Sequence, residues 1–381
     1  MKKNNKKVTV RVLHVINKFD MGGVETWLIN VVQNLPQRGY HFDFFAISSE
    51  EALLEKDVIK QGCQVFRGSK QRPTIFSIYN DLKKLIDRIG SYDAIHSHVH
   101  HFSGVIMLLG FFLKIPVRIV HSHSDTRFKE DSSGILRRAY IVFMRMSVWL
   151  FATKGIGVSS SVAEDQFGSK WKNDKRWMIL PCGVDFKRFD IPKDEGMKLA
   201  LGIPLKAKVV GHVGRFDEPK NHDFLIKVFK CLVDQCDDVY LVLIGVGPLR
   251  QGIERKVREL SISNKVLFLG VRNDVPEILR SVVDVFLFPS LYEGLPLALV
   301  EAQLAGCFCV VADNISREVI LNENQVMSLS LGESLSVWVS KVSYFLLLAK
   351  EEESGRILSQ YVNSYYDLRS NMKRFLSVYC I

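Results

Sequence analysis

Two stretches of this chain open in the same way, and the repetition limits the fold more than any other feature. Near the N-terminus, the apolar run Val8–Ile16 is followed by a glycine-ended loop, Asn17–Gly23. Val24, Trp27, Leu28, Val31, Val32 and Leu35 then recur at helical spacing. The middle of the chain repeats the pattern. A short apolar run from Val209 to Val213 leads into the polar loop Arg215–Asn221, and Phe224, Leu225, Val228, Phe229 and Leu232 follow at helical spacing. Beyond it come a strand Tyr240–Ile244, a Gly245–Pro248 turn, a helix to about Leu260, a strand Val266–Leu269 and a strand beginning near Asp284. Strands that alternate with helices give a parallel sheet wound on both faces. The expected class is α/β, with two doubly wound, Rossmann-like domains.

A length of 381 residues suits two domains, and 47% apolar content supplies their cores. Asp185–Pro204 is polar and aperiodic and reads as a linker. The domains are therefore expected at 1–187 and 205–357. Ligand loops at their strand ends would face one another across a cleft. A helix at about 358–381 is expected to pack back on the first domain. The seven cysteines form no C-x-x-C pair, and no cleavage site follows the basic N-terminus, so reduced thiols and a cytoplasmic location are expected. Cys307 and Cys309 read as core residues. The net charge of +10 fits an anionic substrate or an anionic membrane face. Nucleic acid is disfavoured, because the cations do not interleave with aromatics in a recognised module.

The chemistry concentrates in the segment 288–302. Glu293 and Glu301 bracket a Gly294-Leu295-Pro296 turn between the apolar strand and an apolar helix starting near Leu297. A helix N-terminus there offers amides and a positive dipole end to an anion. Arg215 and Lys220 follow a strand of the same half, where a basic pair suits a diphosphate. As an exposed loop cation, Lys220 is expected to contribute little to stability. Gly22 and Gly23 precede the first helix but lack the full G-x-G-x-x-G pattern. Histidines cluster at 96, 98, 100 and 101 and again at 121 and 123, with Asp125 beside them. Two H-x-H spacings admit a metal-hydrolase reading, provided that the ligands converge. The alternative is a polar strand end, with one neutral imidazole contacting a sugar hydroxyl or a carbonyl. No Asp-x-Asp is present to hold a divalent metal on a nucleotide diphosphate.

Taken in order, these segments resemble glycosyltransferase family 4, the retaining enzymes of the GT-B fold. The resemblance rests on 21–25, 92–98, 115–123, Gly157-Val-Ser-Ser, Leu180–Asp185, Val213-Gly-Arg215 with Lys220, 244–248, and Pro289-Ser with Glu293-x7-Glu301. Arg118–Ser124 and Pro219–His222 are closest to the branch that builds capsule, exopolysaccharide or O-antigen chains. The resemblance implies sugar transfer from a nucleotide-sugar, expected to be a UDP-sugar, to a glycan acceptor expected to be lipid-linked. The alternative is a catalytically silent nucleotide-binding subunit of the same fold. By the resemblance, Arg215 and Lys220 bind the donor diphosphate, Glu301 the ribose hydroxyls and Glu293 the donor sugar. Gly294, Leu295 and Leu297 offer amides, Arg272 flanks the base, and Gly22 and Gly23 approach from the other domain. His123, or else His121, contacts the transferred sugar. Catalysis is assigned to His123, Glu293, Arg215 and Lys220, with no cofactor and no metal expected. Cys182 stands where the family usually has asparagine.

The stretch from Ile135 to Lys154 is apolar with periodic cations. It reads either as a buried helix with snorkelling arginines or as a face lying on the inner side of the cytoplasmic membrane.

Overall fold

The structure is a computed structural model. It describes residues 9–20, 22–36, 39–52, 54–127, 134–351 and 365–380, without the side chains of 350 and 351. Met21 of the first glycine loop, the N-terminal lysines and residues 358–364 and 381 of the expected last helix lie outside the described residues.

The chain forms two compact units. One runs to Gly183 and resumes at Leu368; the other spans Val184–Asp367. The first holds a seven-stranded sheet built from β1 (Val10–Ile16), β2 (Tyr40–Ala46), β3 (Val65–Arg67), β4 (Ala94–Ser97), β5 (Val117–Ser122), β6 (Lys154–Gly157) and β7 (Trp177–Ile179). Its order is β3-β2-β1-β4-β5-β6-β7, and every pairing is parallel. The second holds β8 (Lys208–Val213), β9 (Val239–Ile244), β10 (Val266–Gly270), β11 (Val285–Phe288), β12 (Phe308–Ala312) and β13 (Val326–Leu329), in the order β10-β9-β8-β11-β12-β13 and again all parallel. The strands are short, apolar and mostly buried, as sheets covered on both faces require. The alternation read from the sequence is therefore present in both units.

In each sheet the connection reverses once, between β1 and β4 and between β8 and β11. Loops leaving the carboxyl ends of those neighbours diverge, and the crevice between them is where α/β sheets take ligands. The glycine loop and the first histidine group leave the first switch. The Arg215–Asn221 loop and the Glu293 loop leave the second.

The stretch read as a linker is folded onto the second unit. Phe186 and Phe189 lie on a 3₁₀ turn, Phe186–Phe189, and bury with Ile203 in that unit's core. Residues three apart eclipse on such a turn, so two aromatics share one face without helical periodicity. Cys307 and Cys309 are buried beside β11, as a core reading requires. The helix Leu368–Ser377 returns to the first unit, where Asn371 Nδ2 donates to Pro181 O at 2.6 Å and Lys154 Nζ donates to Val378 O at 2.8 Å.

Candidate functional site

In the second unit, two loops at the switch are tied to each other. Leu291 N–H donates to Pro219 O at 2.8 Å, and Asn221 Nδ2 donates to Pro289 O at 3.1 Å. Asn221 holds the left-handed conformation, with φ 51° and ψ 44°. Asparagine tolerates that conformation better than most residues, and here it turns the chain from Lys220 into the helix His222–Val233. Lys220 Nζ lies 2.6 Å from Glu293 Oε1 and 5.0 Å from the centroid of the Phe288 ring. The two side chains are only 18% and 12% exposed. Lys220 is thus not the exposed loop cation expected from its polar surroundings. The reversal of strand order brings its loop against one that leaves β11, and the pair is largely withdrawn from water.

Arg215 is exposed, 3.9 Å from Asp217, and its guanidinium remains available to solvent or ligand. Its loop is clamped from below. Gly245, at φ +134°, and Gly247 pack against the backbone of Gly214 and Phe216, where a Cβ at either glycine would collide. Phe216 N–H donates to Val246 O at 3.1 Å, and Leu249 N–H to Phe216 O at 2.9 Å. His222 stacks on Phe216 and meets His212 edge-on. Burial and the neighbouring Lys220 charge lower His222 to about 4, and burial first, then His222, holds His212 well below its ordinary value. Both rings are therefore neutral near pH 7.

Glu301 lies on the helix Leu297–Leu304. Burial pushes its carboxyl up to about 7, against the opposing pull of Arg188. Pro296 caps this helix. Leu297 N–H donates to Leu295 O at 3.0 Å, a bond with which an incoming anion would compete. Arg272 follows Gly270 at the end of β10 and is held by Asp274 at 2.8 Å. Arg215, Lys220, Arg272, Glu293, Gly294, Leu295, Leu297 and Glu301 thus all belong to the loops and helix starts at the carboxyl ends of β8, β10 and β11.

Gly22, Gly23 and the histidines belong to the first unit. Gly22 caps the helix Gly23–Gln33 in an extended conformation, and a Cβ there would strike the Glu25 carboxylate folded over it. Five histidines from three neighbouring strands lie together at the switch. His14 sits on β1, His96 on β4 and His121 on β5, while His98 and His123 lie just beyond their strand ends. His121 lies within β5 and is fully buried. The rings form a connected chain. His14 Nδ1 is 3.0 Å from His98 Nε2, and His98 Nδ1 is 2.9 Å from His123 Nε2. His123 Nδ1 is 3.6 Å from Cys182 Sγ, and His96 Nδ1 is 2.7 Å from Tyr379 Oη. Burial lowers all five, His14 and His123 to about 3, so each is neutral. Trp27 and Phe375 cover the group.

His14, Phe375 and Tyr379 were absent from the sequence reading. A single histidine in an apolar strand looks like core, and the C-terminal aromatics lie hundreds of positions away. The period of two in His96-x-His98 and His121-x-His123 was the visible signal, since it places both members of each pair on one face.

Residues 21–188 match Glycosyltransferase Family 4, and residues 195–343 match Glycosyl transferases group 1. The chain is 32% identical to the putative glycosyltransferase EpsF of Bacillus subtilis (strain 168), over 97% of this chain and 96% of that protein. It is 25% identical to the UDP-Gal:alpha-D-GlcNAc-diphosphoundecaprenol alpha-1,3-galactosyltransferase of Escherichia coli, over 85% of this chain and 84% of the other. Among solved structures, Anabaena Alr3699/HepE in complex with UDP-glucose superposes with a TM-score of 0.78 at 18% identity, covering 96% of this chain and 98% of that one. This last likeness concerns the fold.

Proposed function

Because the chain belongs to glycosyltransferase family 4, and so is a glycosyltransferase related to exopolysaccharide and capsule enzymes, we propose that it moves a sugar from a UDP-sugar to a lipid-linked glycan with retention of configuration. The observation that carries this reading is the Lys220–Glu293 pair, 2.6 Å long and shielded, at the switch between β8 and β11. An anion that enters there meets a desolvated ammonium, where charge interactions are stronger than in water.

In this reading Lys220 and Arg215 stabilise the charge that grows on the leaving diphosphate. The start of the Leu297–Leu304 helix adds its dipole. Glu301 accepts hydrogen bonds from the ribose hydroxyls, and Glu293, released from Lys220 by the diphosphate, accepts from a sugar hydroxyl. Arg272 flanks the base. Gly22 and Gly23 allow close backbone approach to the diphosphate or the acceptor. His123, neutral, contacts the transferred sugar. The departing phosphate takes the acceptor proton on the front face, so no second carboxylate is needed as a nucleophile and no metal on the diphosphate. Two lines support the donor and acceptor. The Escherichia coli relative is named for a UDP-galactose donor and a diphosphoundecaprenol acceptor, and a structural neighbour was solved with UDP-glucose.

A thermal-shift and hydrolysis screen with UDP-, GDP- and ADP-sugars, with and without EDTA, tests this. Stabilisation by a UDP-sugar and slow, EDTA-insensitive release of UDP are expected. Stabilisation by a GDP- or ADP-sugar alone overturns the donor, and loss of turnover in EDTA overturns the metal-free chemistry.

The acceptor's lipid implies a membrane. No described helix is long and apolar enough to cross one. The helix Ile135–Phe151 instead exposes Ile135, Leu136, Val142, Phe143, Met146 and Leu150, with Arg137 and Arg138 exposed among them. Only Ile141, Met144, Ser147 and Val148 are buried on its other side. An apolar face with cations at its margin suits an anionic bilayer surface. Binding to liposomes containing anionic lipid at low salt is expected, weakened roughly 30-fold by Arg137→Gln with Arg138→Gln at about 1 kcal/mol per cation. A protein that stays wholly in the supernatant in cosedimentation, or a double variant that binds like wild type, ends this part of the reading.

A further inference from the structure

The histidine group holds more imidazole than one sugar contact requires. We infer that it is a site for a borderline-soft divalent cation of the zinc class, held by His98 Nδ1, His123 Nε2 and a ring nitrogen of His121.

The ligand nitrogens are gathered, and the His121 and His123 rings, stacked with centroids 4.1 Å apart, must turn to share one ion. One ring nitrogen from each of the three histidines lies within 4.8 Å of the other two. His98 Nδ1 and His123 Nε2 are 2.9 Å apart and already aimed at each other. Nitrogens around a tetrahedral ion, each about 2.0–2.1 Å from it, stand about 3.3 Å apart, so a small separation of these rings admits one. His121 supplies the strongest argument. It is 0% exposed, and neither of its ring nitrogens has a hydrogen-bond partner. Leaving such a group buried and unsatisfied is costly, and a metal ion would remove that cost.

The outer partners are also in place. Imidazole ligands hold their orientation through the nitrogen that faces away from the metal. For His98 that nitrogen is Nε2, 3.0 Å from His14 Nδ1. For His123 it is Nδ1, 3.6 Å from Cys182 Sγ. In the metal-free chain one proton lies between His98 and His123. When the ion enters, the ring that carries this proton shifts it to its far nitrogen; if that ring is His98, the His14 proton moves in turn from Nδ1 to Nε2, and if it is His123, the Cys182 thiol turns to accept. All three ligands are neutral rings, so no net proton is released. The set contains nitrogen only, which suits zinc, copper or nickel and not magnesium or calcium.

Two neighbouring groups are weaker candidates. His14, His96 and His98 also converge, but Tyr379 Oη already lies 2.7 Å from His96 Nδ1 and 3.5 Å from His14 Nε2. His100, His101 and Asp165 converge as well, but Arg145 and the Thr126 amide occupy the Asp165 oxygens.

The site does not depend on the sugar-transfer reading. If both hold, a filled site takes the nitrogen pair of His123 away from the sugar, and the ion is an inhibitor rather than a cofactor.

Equilibrium dialysis of the full chain against Zn²⁺ after chelator treatment, with metal content read by mass spectrometry, tests the inference. About one ion per chain is expected, and Co²⁺ in its place should give the visible absorption of a nitrogen-ligated, low-coordinate ion. His121→Phe and His98→Gln should each lower the affinity by about 100-fold or more, while His41→Gln, outside the set, should leave it unchanged. Zinc bound equally by wild type and His121→Phe, or no zinc bound by wild type, overturns the inference. If the buried variants fail to fold, ¹⁵N-histidine spectra of the wild type decide. Zinc should shift three of the ten imidazoles directly, and a spectrum without change, or with change only at His41, His100 or His101, overturns the site.

Discussion

Lys220→Ala is expected to lower kcat/KM by roughly 100-fold or more and to destabilise the protein by about 1–3 kcal/mol. Removing one preorganised charge donor at a developing anion has an effect of that size on the rate. The loss of stability has a separate source. Glu293 is 12% exposed and its carboxylate faces Lys220 at 2.6 Å, so alanine leaves a largely buried anion without its cation. A solvated lysine would show no such loss. The two effects separate in a double variant. Lys220→Ala with Glu293→Gln replaces the stranded carboxylate by a neutral amide and should recover most of the thermal stability. Turnover should stay low, because the diphosphate still lacks its ammonium. Donor hydrolysis and thermal unfolding of the two single variants and the double variant form the measurement. If activity returns together with stability, Lys220 serves the fold and not the donor.

That pair also marks the boundary of what could be read from the chain. Strand runs such as Val285–Phe288 and the helical spacing after Gly23 are local patterns, and both were legible. So was the place of Glu301 on a helix after a Gly-x-Pro turn. The approach of Lys220 to Glu293 was not. It depends on β8 and β11 being neighbours, and strand order is a property of the packed sheet. The same limit applies to the first unit. The H-x-H spacings announced two histidine pairs, but their meeting with His14 required β1 to lie beside β4, and their cover by Phe375 and Tyr379 required the chain to return after the second unit. In Asp185–Pro204, the surrounding charges hid two aromatics that anchor the segment.

Glu301→Gln should weaken UDP binding about 10- to 100-fold at pH 8 while raising thermal stability there. A hydrogen bond to a charged acceptor contributes about 1.5–3 kcal/mol, and the amide keeps only the weaker neutral bond. The gain in stability follows from the raised pKa. Burial places the folded value at about 7, above the ordinary 4.5 of the unfolded chain. Between those two values the folded protein keeps a proton that the unfolded chain has lost, so stability falls as pH rises through this window and levels off above about 7. The total is at most about 3 kcal/mol, since Glu301 is only partly withdrawn from water, and glutamine avoids it. Binding runs the other way. Ribose hydroxyls donate to the ionised carboxylate, so wild-type affinity for UDP should rise with pH up to about 7 and then flatten, approaching tenfold per unit on the acid side. The variant lacks that carboxyl and should keep only the slope set by the terminal phosphate of UDP, whose second ionisation lies at about pH 6. Calorimetric titration with UDP from pH 5.5 to 8.5, beside thermal unfolding over the same range, measures both. Matching pH profiles for wild type and variant would remove Glu301 from the ribose, and a variant that is less stable than wild type at pH 8 would mean that the carboxylate supports the fold.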